Sequence, residues 1–196
     1  ADNGVHGEEL WVTDGTEAGT YLVSDINEGT GDSSPRSIND LSGTIYFSVK
    51  TDQYGRELWR LDDNQKKAVR IVSSGAGKKK LRALEGNANE FRFELAGQFG
   101  KHQADRITGF DSEEGDQLAL GRDVFDGLDD IDLVTVTSKK QLRTQHNNST
   151  ALIYFEPKGK LYFNQNGDES GYGDEGGLFA ILKGGPDMRE SAFRII

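Results

Sequence analysis

The stretch GEELWVTDGTEAGTYLVSDINEG, residues 7–29, decides the fold class of the N-terminal part of this chain, because its core motif returns as GRELW at residues 55–59. Around and between the two copies, β-branched and aromatic residues form short runs bounded by turn residues. We therefore predict strands at 10–13, 20–26 and 44–49. In a β-repeat each unit buries its apolar face only against its neighbours, so the pattern favours propeller- or solenoid-like partial blades.

These residues, together with SGTIYFSV at 42–49, resemble the ELWxxDGT repeat of large secreted bacterial proteins, many of them cyanobacterial. The second copy has Asp62-Asp63-Asn64 where the Asp-Gly-Thr turn is expected, so we interpret it as a terminal capping copy. The resemblance covers residues 1–73 and implies a β architecture and a surface location. About one and a half copies leave an open β edge, for which we expect either a homodimer paired through that edge or cover by the C-terminal domain.

The composition of the 196-residue chain narrows the classes of function. Its 33 acidic and 23 basic residues give a net charge of −10, which repels a phosphate backbone and argues against a nucleic-acid partner. No apolar run approaches the roughly 20 residues that span a bilayer, so we predict no membrane span. The chain has no cysteine, which removes disulfides and thiolate metal sites. Calcium is then the predicted stabilising cofactor of an acidic, glycine-rich secreted chain.

A linker is predicted at residues 74–83, where small residues precede the run Lys78-Lys79-Lys80. That basic run is interpreted as a solvated linker or as a contact with an anionic surface. Beyond the linker the chain again has the character of short strands, with a single brief helix capped by Ser138. The predicted elements are strands at 90–96, 106–110, 117–120, 133–137, 178–182 and 192–196, a helix at 139–145, and a hairpin at 151–164 that turns at Pro157-Lys158-Gly159.

The second half resembles the C-terminal end of the repeats-in-toxin (RTX) family of secreted proteins. FRFELAGQFGKHQADRITGFDSEEGDQLAL, residues 91–120, is similar to the segment that closes the calcium β-roll of that family. ALIYFEPKGKLYFNQNGDESGYG, which begins at residue 151, and the later GLFAIL and SAFRII are similar to its terminal hairpin, Asp/Asn-rich loop and uncleaved export signal. The nonapeptide GGxGxDxUx is absent apart from a degenerate remnant at 86–89. The resemblance covers 84–196 and implies calcium-dependent folding and a type I secretion machinery as partner.

Two segments are candidate calcium sites, because calcium takes six to eight oxygen ligands and short Asp/Asn/Gly loops can supply them. The first is the loop that contains Asn164, Asn166, Asp168 and Asp174. The alternative for this loop is a plain Asx-rich turn that caps its own main chain.

The second candidate lies within the acidic run 105–132, where like charges repel unless they are solvated or share a cation. Asp111, Glu113 and Asp116 are its predicted ligands, and a solvated acidic face is the alternative. In the repeat, we expect Asp14 and Asp25 to form side-chain-to-main-chain turn bonds instead of binding metal.

No catalytic constellation is found in the sequence. There is no zinc spacing among the histidines, no nucleophile elbow, no phosphate loop and no dinucleotide fingerprint. Trp11 and Trp59 could stack on a sugar ring, but their recurrence at the repeat spacing favours core packing. We therefore predict that the chain is not an enzyme.

Together these observations predict an all-β chain. It consists of a β-repeat segment (1–73), a linker (74–83) and an RTX-like C-terminal domain (84–196) that resembles a β-roll cap or β-sandwich, with at most one or two short helices. The expected function is that of a C-terminal module of a secreted or cell-surface protein, with calcium-stabilised folding and type I export. The alternatives are an adhesin module that binds a surface polysaccharide, or the accessory tail of a secreted hydrolase.

Overall fold

The computed structural model describes residues 1–62, 66–97, 99–145 and 149–196. Strands account for 39% of the chain, and the α-helix within the described ranges has seven residues, which confirms the predicted all-β class. The chain divides into two compact units, Ala1–Ile71 and Val72–Ile196. No helix in the described ranges has both the length and the apolar character that a membrane-crossing helix requires.

The N-terminal unit contains a short antiparallel pair and an antiparallel meander, in the order β3-β4-β5-β6 across the sheet. On one face of the meander, Phe47, Val49 and Trp59 are fully buried, so the second tryptophan of the repeat is a core residue. The strands are β1 (Trp11–Val12), β2 (Tyr21–Leu22), β3 (Arg36–Leu41), β4 (Thr44–Thr51), β5 (Gly55–Asp62) and β6 (Lys67–Ser73), of which β6 ends beyond this unit.

The repeated glutamate of the ELW motif is an anchor in both copies. Buried Glu9 accepts hydrogen bonds from the Ser33 hydroxyl (2.5 Å) and the Asn27 main-chain N–H (3.1 Å). In the second copy, Glu57 forms a two-point ion pair with buried Arg70, at 2.5 and 2.9 Å. These contacts fix the segment that carries each glutamate. Breaking them would leave a charged group buried without its partner, which costs free energy.

The predicted turn bonds of the first copy are confirmed. Asp14 Oδ1 accepts hydrogen bonds from the main-chain N–H (2.9 Å) and hydroxyl (2.7 Å) of Thr16. Asp25 Oδ2 accepts one from the Gly29 N–H at 3.0 Å. These bonds hold the Asp-Gly-Thr turn and the loop after β2. In the second copy, residues 63 and 64, where the sequence departs from the repeat, lie outside the described residues.

Strand β3 was not predicted from the sequence, and it forms the outer edge of the meander. All six of its residues are exposed, so no alternation of apolar and polar residues reveals it. Its pairing with β4 shifts by one residue between Arg36 and Asn39, and Ser37 there has φ 53°. Bulges of this kind are common at sheet edges.

The described residues of the C-terminal unit contain nine strands. Strands β15-β10-β8 lie side by side and parallel, and a second sheet has the order β11-β12-β13-β14-β9-β7. A large hydrophobic core in this unit includes Phe91, Phe125 and Phe179, and a second, smaller cluster is formed by Val136, Ile153 and Phe155. The elements are β7 (Lys80–Arg82), β8 (Ala88–Phe93), β9 (Asp105–Thr108), β10 (Gln117–Leu120), β11 (Leu133–Val136), α1 (Lys139–Gln145), β12 (Leu152–Phe155), β13 (Lys160–Phe163), β14 (Gly177–Leu182) and β15 (Phe193–Ile195).

The locally encoded elements of this unit agree with their predictions. Helix α1 occupies the predicted residues, and the Ser138 hydroxyl oxygen accepts a hydrogen bond from the Gln141 N–H at 3.2 Å. The hairpin pairs β12 with β13 antiparallel through a 3₁₀ turn at Glu156–Lys158. Gly159 ends that turn with φ 59°, and a Cβ at this position would overlap the Leu182 carbonyl oxygen, so both its conformation and its contact require glycine. The predicted linker at 74–83 contains strand β7.

Candidate metal centre

The loop between β13 and β14 is held by bonds within itself. The Gln165 N–H donates to the Tyr172 carbonyl (3.0 Å), and the Glu175 N–H donates to the Gln165 side-chain oxygen (3.0 Å). At the start of the loop, the Asn164 amide donates to the Gly167 carbonyl (2.9 Å). A Cβ at Gly176 would overlap the Tyr172 carbonyl oxygen, so the loop can close only with glycine there. The result is a compact loop whose amide and carboxylate oxygens lie close in sequence.

The side-chain amide of Asn166, in this loop, forms a hydrogen bond through its nitrogen but, among the described residues, none through its oxygen. Its Nδ2 donates a long hydrogen bond to the Ser170 carbonyl (3.3 Å). Its Oδ1 atom is buried and accepts no hydrogen bond from any residue that the structure describes. A buried acceptor without a donor costs free energy, and a bound water or ion is one way in which such a group is satisfied.

Asn166 lines an open depression of about 790 Å³ whose rim carries carboxylates. Glu169, Asp174 and Glu175 contribute to its lining, and all three are exposed. Asp168, also exposed, lies two residues beyond Asn166. Of the predicted ligands, Asn166 and Asp174 line this depression, whereas Asn164 and Asp168 lie on the same loop but outside the lining.

Two tyrosine rings pack against each other at this loop. The rings of Tyr162, on β13, and Tyr172 stack with centroids 5.2 Å apart and planes 10° from parallel. Burial, and then the neighbouring Tyr162, raise the pKa of Tyr172 far above its usual value. Burial also raises the pKa of Tyr162, so both phenols are neutral at physiological pH. They serve as an apolar support for the loop.

The second predicted site, at Asp111, Glu113 and Asp116, has a different arrangement. Asp116 is 1% exposed, and its carboxylate accepts three hydrogen bonds. Oδ1 receives the main-chain N–H and the side-chain amide of Asn89, both at 2.8 Å, and Oδ2 receives the Asp111 N–H at 3.0 Å. Exposed Asp111 in turn accepts the Glu113 N–H at 2.8 Å. Asp111 and Asp116 are thus brought together as two ends of one turn.

Asn89 is the partner that the sequence analysis missed. It lies 27 residues before Asp116 and is fully buried on β8. Besides its bonds to Asp116, its amide donates to the carbonyls of Leu84 (3.1 Å) and Asn87 (2.8 Å) and accepts from the Leu84 N–H (2.9 Å). An Asx pair with this spacing gives no local signal, because the contact exists only once β8 and β10 pair.

Two buried aspartates of the acidic run have perturbed titration. Burial raises the pKa of Asp116 to about 6, against the lowering effect of its hydrogen bonds with Asp111 and Asn89. Burial likewise raises the pKa of Asp105, on β9, to about 6. Asp105 accepts one hydrogen bond, from the Lys79 N–H (2.5 Å), and its Oδ2 has no donor among the described residues. Both carboxyl groups are almost fully buried, but Asp116 accepts three hydrogen bonds and Asp105 accepts one.

The remaining carboxylates of the acidic run are mostly solvated. Seven are exposed to solvent, namely Asp111, Glu113, Asp123, Asp126, Asp129, Asp130 and Asp132. Across the described ranges of the chain, no three Asp, Glu, Cys or His side chains converge closely enough to hold a metal ion. A calcium ion would therefore take amide and main-chain oxygens beside one or two carboxylates, a mixed ligand set that calcium accepts.

No protein-family model matches this chain, no curated protein matches it, and no solved structure matches it.

Proposed function

We propose that this chain is a calcium-stabilised, non-enzymatic module of a secreted bacterial protein, exported by a type I secretion machinery. In this proposal the N-terminal unit is the partial-blade end of an ELWxxDGT-type β-repeat, and the C-terminal unit is an RTX-like cap. Calcium binds the loop between β13 and β14, and the module acts outside the cell or at its surface. The resemblance of residues 84–196 to RTX proteins supplies the export and localisation parts of this proposal.

The buried, unpartnered Oδ1 of Asn166 carries the calcium part of the proposal. A calcium ion would be held by the amide oxygens of Asn164 and Asn166 and by the carboxylates of Asp168 and Asp174. Calcium prefers oxygen ligands of these types and tolerates flexible geometry, which suits a loop with several glycines. The ion would satisfy the buried acceptor and neutralise the rim at the same time.

Such a site would stabilise the folded chain by mass action. An ion that binds only the native state adds RT ln(1 + [L]/Kd), which is about 2.7 kcal/mol at a hundredfold excess over Kd. Against a total stability of roughly 5–15 kcal/mol, that is a large share. The module would stay loosely folded where calcium is scarce and become stable outside the cell.

The test is thermal unfolding of the whole chain in millimolar calcium and in excess chelator. We expect the wild type to melt at a higher temperature in calcium, and the double variant Asp168→Ala/Asp174→Ala to lose most of that difference. The matched control is Asp126→Ala/Asp130→Ala, which removes the same charge from two exposed positions and should keep the calcium response. Equal melting temperatures with and without chelator in the wild type would remove calcium from the function.

Export is tested separately, because it is read from the C-terminal end of the chain. Removing about 50 C-terminal residues should keep the protein in the cell when it is expressed with its own transporter. A full-length variant destabilised in the other unit, Trp59→Ala, controls for misfolding and should still reach the medium. Secretion of the truncated chain would show that the signal lies elsewhere.

A further inference from the structure

The face of the β3–β4–β5 meander opposite its core carries a concentration of basic side chains. Directly paired residues on neighbouring strands share a face of the sheet. Arg36 pairs with Ser48, Ser48 with Leu58, and Lys50 with Arg56, so these residues lie on one face. Phe47, Val49 and Trp59 alternate with them and point into the core.

The exposed charges on this face are all positive. Arg36, Lys50 and Arg56 are exposed, and none of them forms an ion pair with a residue in the described part of the chain. Arg60, on the same face, is buried and paired with Asp62 at 3.1 Å, so it adds no free charge. Three uncompensated cations on one small sheet face contrast with a chain whose net charge is −10.

Arg56 is held in position by neutral groups. Its Nη1 donates to the main-chain carbonyls of Ser34 and Ser48, both at 3.1 Å. These contacts orient the guanidinium without cancelling its charge, and the remaining N–H groups keep their capacity for an anionic partner. An oriented cation loses less side-chain entropy on binding than a free one.

Apolar side chains lie on the same face as the cations, towards the other end of β4 in the case of Leu41. Leu58, paired to Ser48, is 49% exposed, and Leu41, paired to Thr44 at the end of β3, is 60% exposed. Tyr46 is half-buried on the same face, opposite Asn39. A face that carries cations beside exposed leucines and a half-buried tyrosine suits a ligand that has both charged substituents and C–H surfaces.

We propose that this basic face, defined by Arg36, Lys50, Arg56 and Leu58, binds an anionic polysaccharide that carries carboxylate or sulfate groups. Charge complementarity favours an anionic polymer over a second copy of the chain, because a symmetric dimer through this face would bring the same cations together. The bulge in β3 also interrupts the regular edge that a second strand would need. DNA carries a charge about every 1.7 Å and meets the repulsion of the acidic chain most strongly, whereas the charges of a polysaccharide are more widely spaced. This site lies in the N-terminal unit and is independent of the calcium loop.

The test measures binding of the whole chain to dextran sulfate, hyaluronate and uncharged dextran in one buffer of fixed calcium concentration. We expect both anionic polymers to bind and dextran not to bind. Their relative affinities distinguish sulfate from carboxylate recognition. The double variant Arg36→Gln/Lys50→Gln should bind about five- to tenfold more weakly, since each exposed ion pair contributes modestly.

The control variant Lys101→Gln/Lys139→Gln changes the net charge by the same amount at two exposed positions of the C-terminal unit and should bind within about twofold of the wild type. Equal melting temperatures of the variants would exclude misfolding as the cause. The proposal is overturned if neither anionic polymer binds, if the control loses as much affinity, or if duplex DNA binds as tightly as dextran sulfate. A dimer in sedimentation velocity that Arg36→Gln/Lys50→Gln dissociates would also overturn it, because the face would then belong to a second copy.

Discussion

The turn at residues 111–116 and the loop at 164–175 are both rich in Asp and Asn, yet their buried oxygens have different partners. In the turn, the Asp116 carboxylate is filled by three N–H donors from the chain itself. In the loop, the buried Oδ1 of Asn166 accepts nothing from the described residues, and carboxylates surround an open depression. Composition alone made both segments candidate calcium sites. The difference is that the buried carboxylate of the turn accepts hydrogen bonds from the chain itself, while the buried Asn166 oxygen of the loop accepts none from the described residues.

The largest expected effect comes from removing the acceptor in the turn. Asp116→Ala leaves the N–H groups of Asn89 and Asp111 without an acceptor in a buried place, and we expect it to lower the free energy of unfolding by about 2–4 kcal/mol. Because those donors belong to the chain, the loss should be the same in calcium and in chelator. Urea unfolding in both buffers measures it, with exposed Asp130→Ala as the control, expected within about 0.5 kcal/mol of wild type.

If Asp116→Ala lowered the free energy of unfolding in calcium but not in chelator, the distinction drawn between the turn and the loop would be wrong. That result would mean that a bound ion, and not the three hydrogen bonds, holds the turn. Asn89→Ala provides a second measurement of the same network, because it removes the amide that joins Leu84, Asn87 and Asp116. The two substitutions act through one set of bonds, so their double variant should cost less than the sum.

A smaller effect, of opposite sign, is expected at Asp105, which is buried as deeply as Asp116 but has a single donor. Its folded-state pKa, about 6, lies above its usual value of 3.8, so the folded state keeps a proton that the unfolded state has lost. This group's contribution to stability is full below about pH 4 and is lost as the pH rises through about 6. At pH 8 the buried, ionised carboxylate of Asp105 lowers the free energy of unfolding.

Asp105→Asn should therefore raise the free energy of unfolding at pH 8 by about 1–2 kcal/mol. The two-unit rise in pKa corresponds to about 3 kcal/mol, from which the burial of an unpartnered amide N–H₂ is subtracted. The advantage should disappear near pH 4. Unfolding of both proteins across pH 4–8 isolates this group, since other titrating residues cancel in the difference. A variant that is less stable at pH 8, or whose difference from wild type does not change with pH, would contradict the assigned burial cost.

The elements that the sequence predicts well are those whose partners are close in the chain. The hairpin of β12 and β13 depends on a turn between two apolar runs, and helix α1 depends on its cap. Each of these signals lies within about 15 residues of sequence. Strand β3 has no such pattern, because both of its faces are exposed. The parallel pairing of β8, β10 and β15 joins segments far apart in sequence, which no local pattern encodes.

The same distinction applies to the candidate sites. The alternation of Asn, Gly and Asp makes the 164–175 loop a candidate site, because all of its proposed oxygen ligands lie in one short stretch of sequence. The turn at Asp116 is completed by Asn89 from another strand, and the burial of Asp105 follows from packing between β14 and β7. Acidic composition therefore indicates where carboxylates are concentrated, while their titration and their donors depend on contacts between strands.

The smallest expected effect is at Asn166 in the absence of calcium. Its Oδ1 has no donor to lose, and its remaining bond to the Ser170 carbonyl is long, so Asn166→Ala in excess chelator should change the free energy of unfolding by less than about 0.5 kcal/mol. In millimolar calcium the same substitution should remove most of the calcium-dependent rise in melting temperature. Asn89→Ala is the matched comparison, because it deletes the same amide from a filled network and should be equally costly in both buffers. A large loss for Asn166→Ala in chelator would show that its oxygen has a partner within the chain, and the loop would then join the turn as a closed Asx network with no role for an ion.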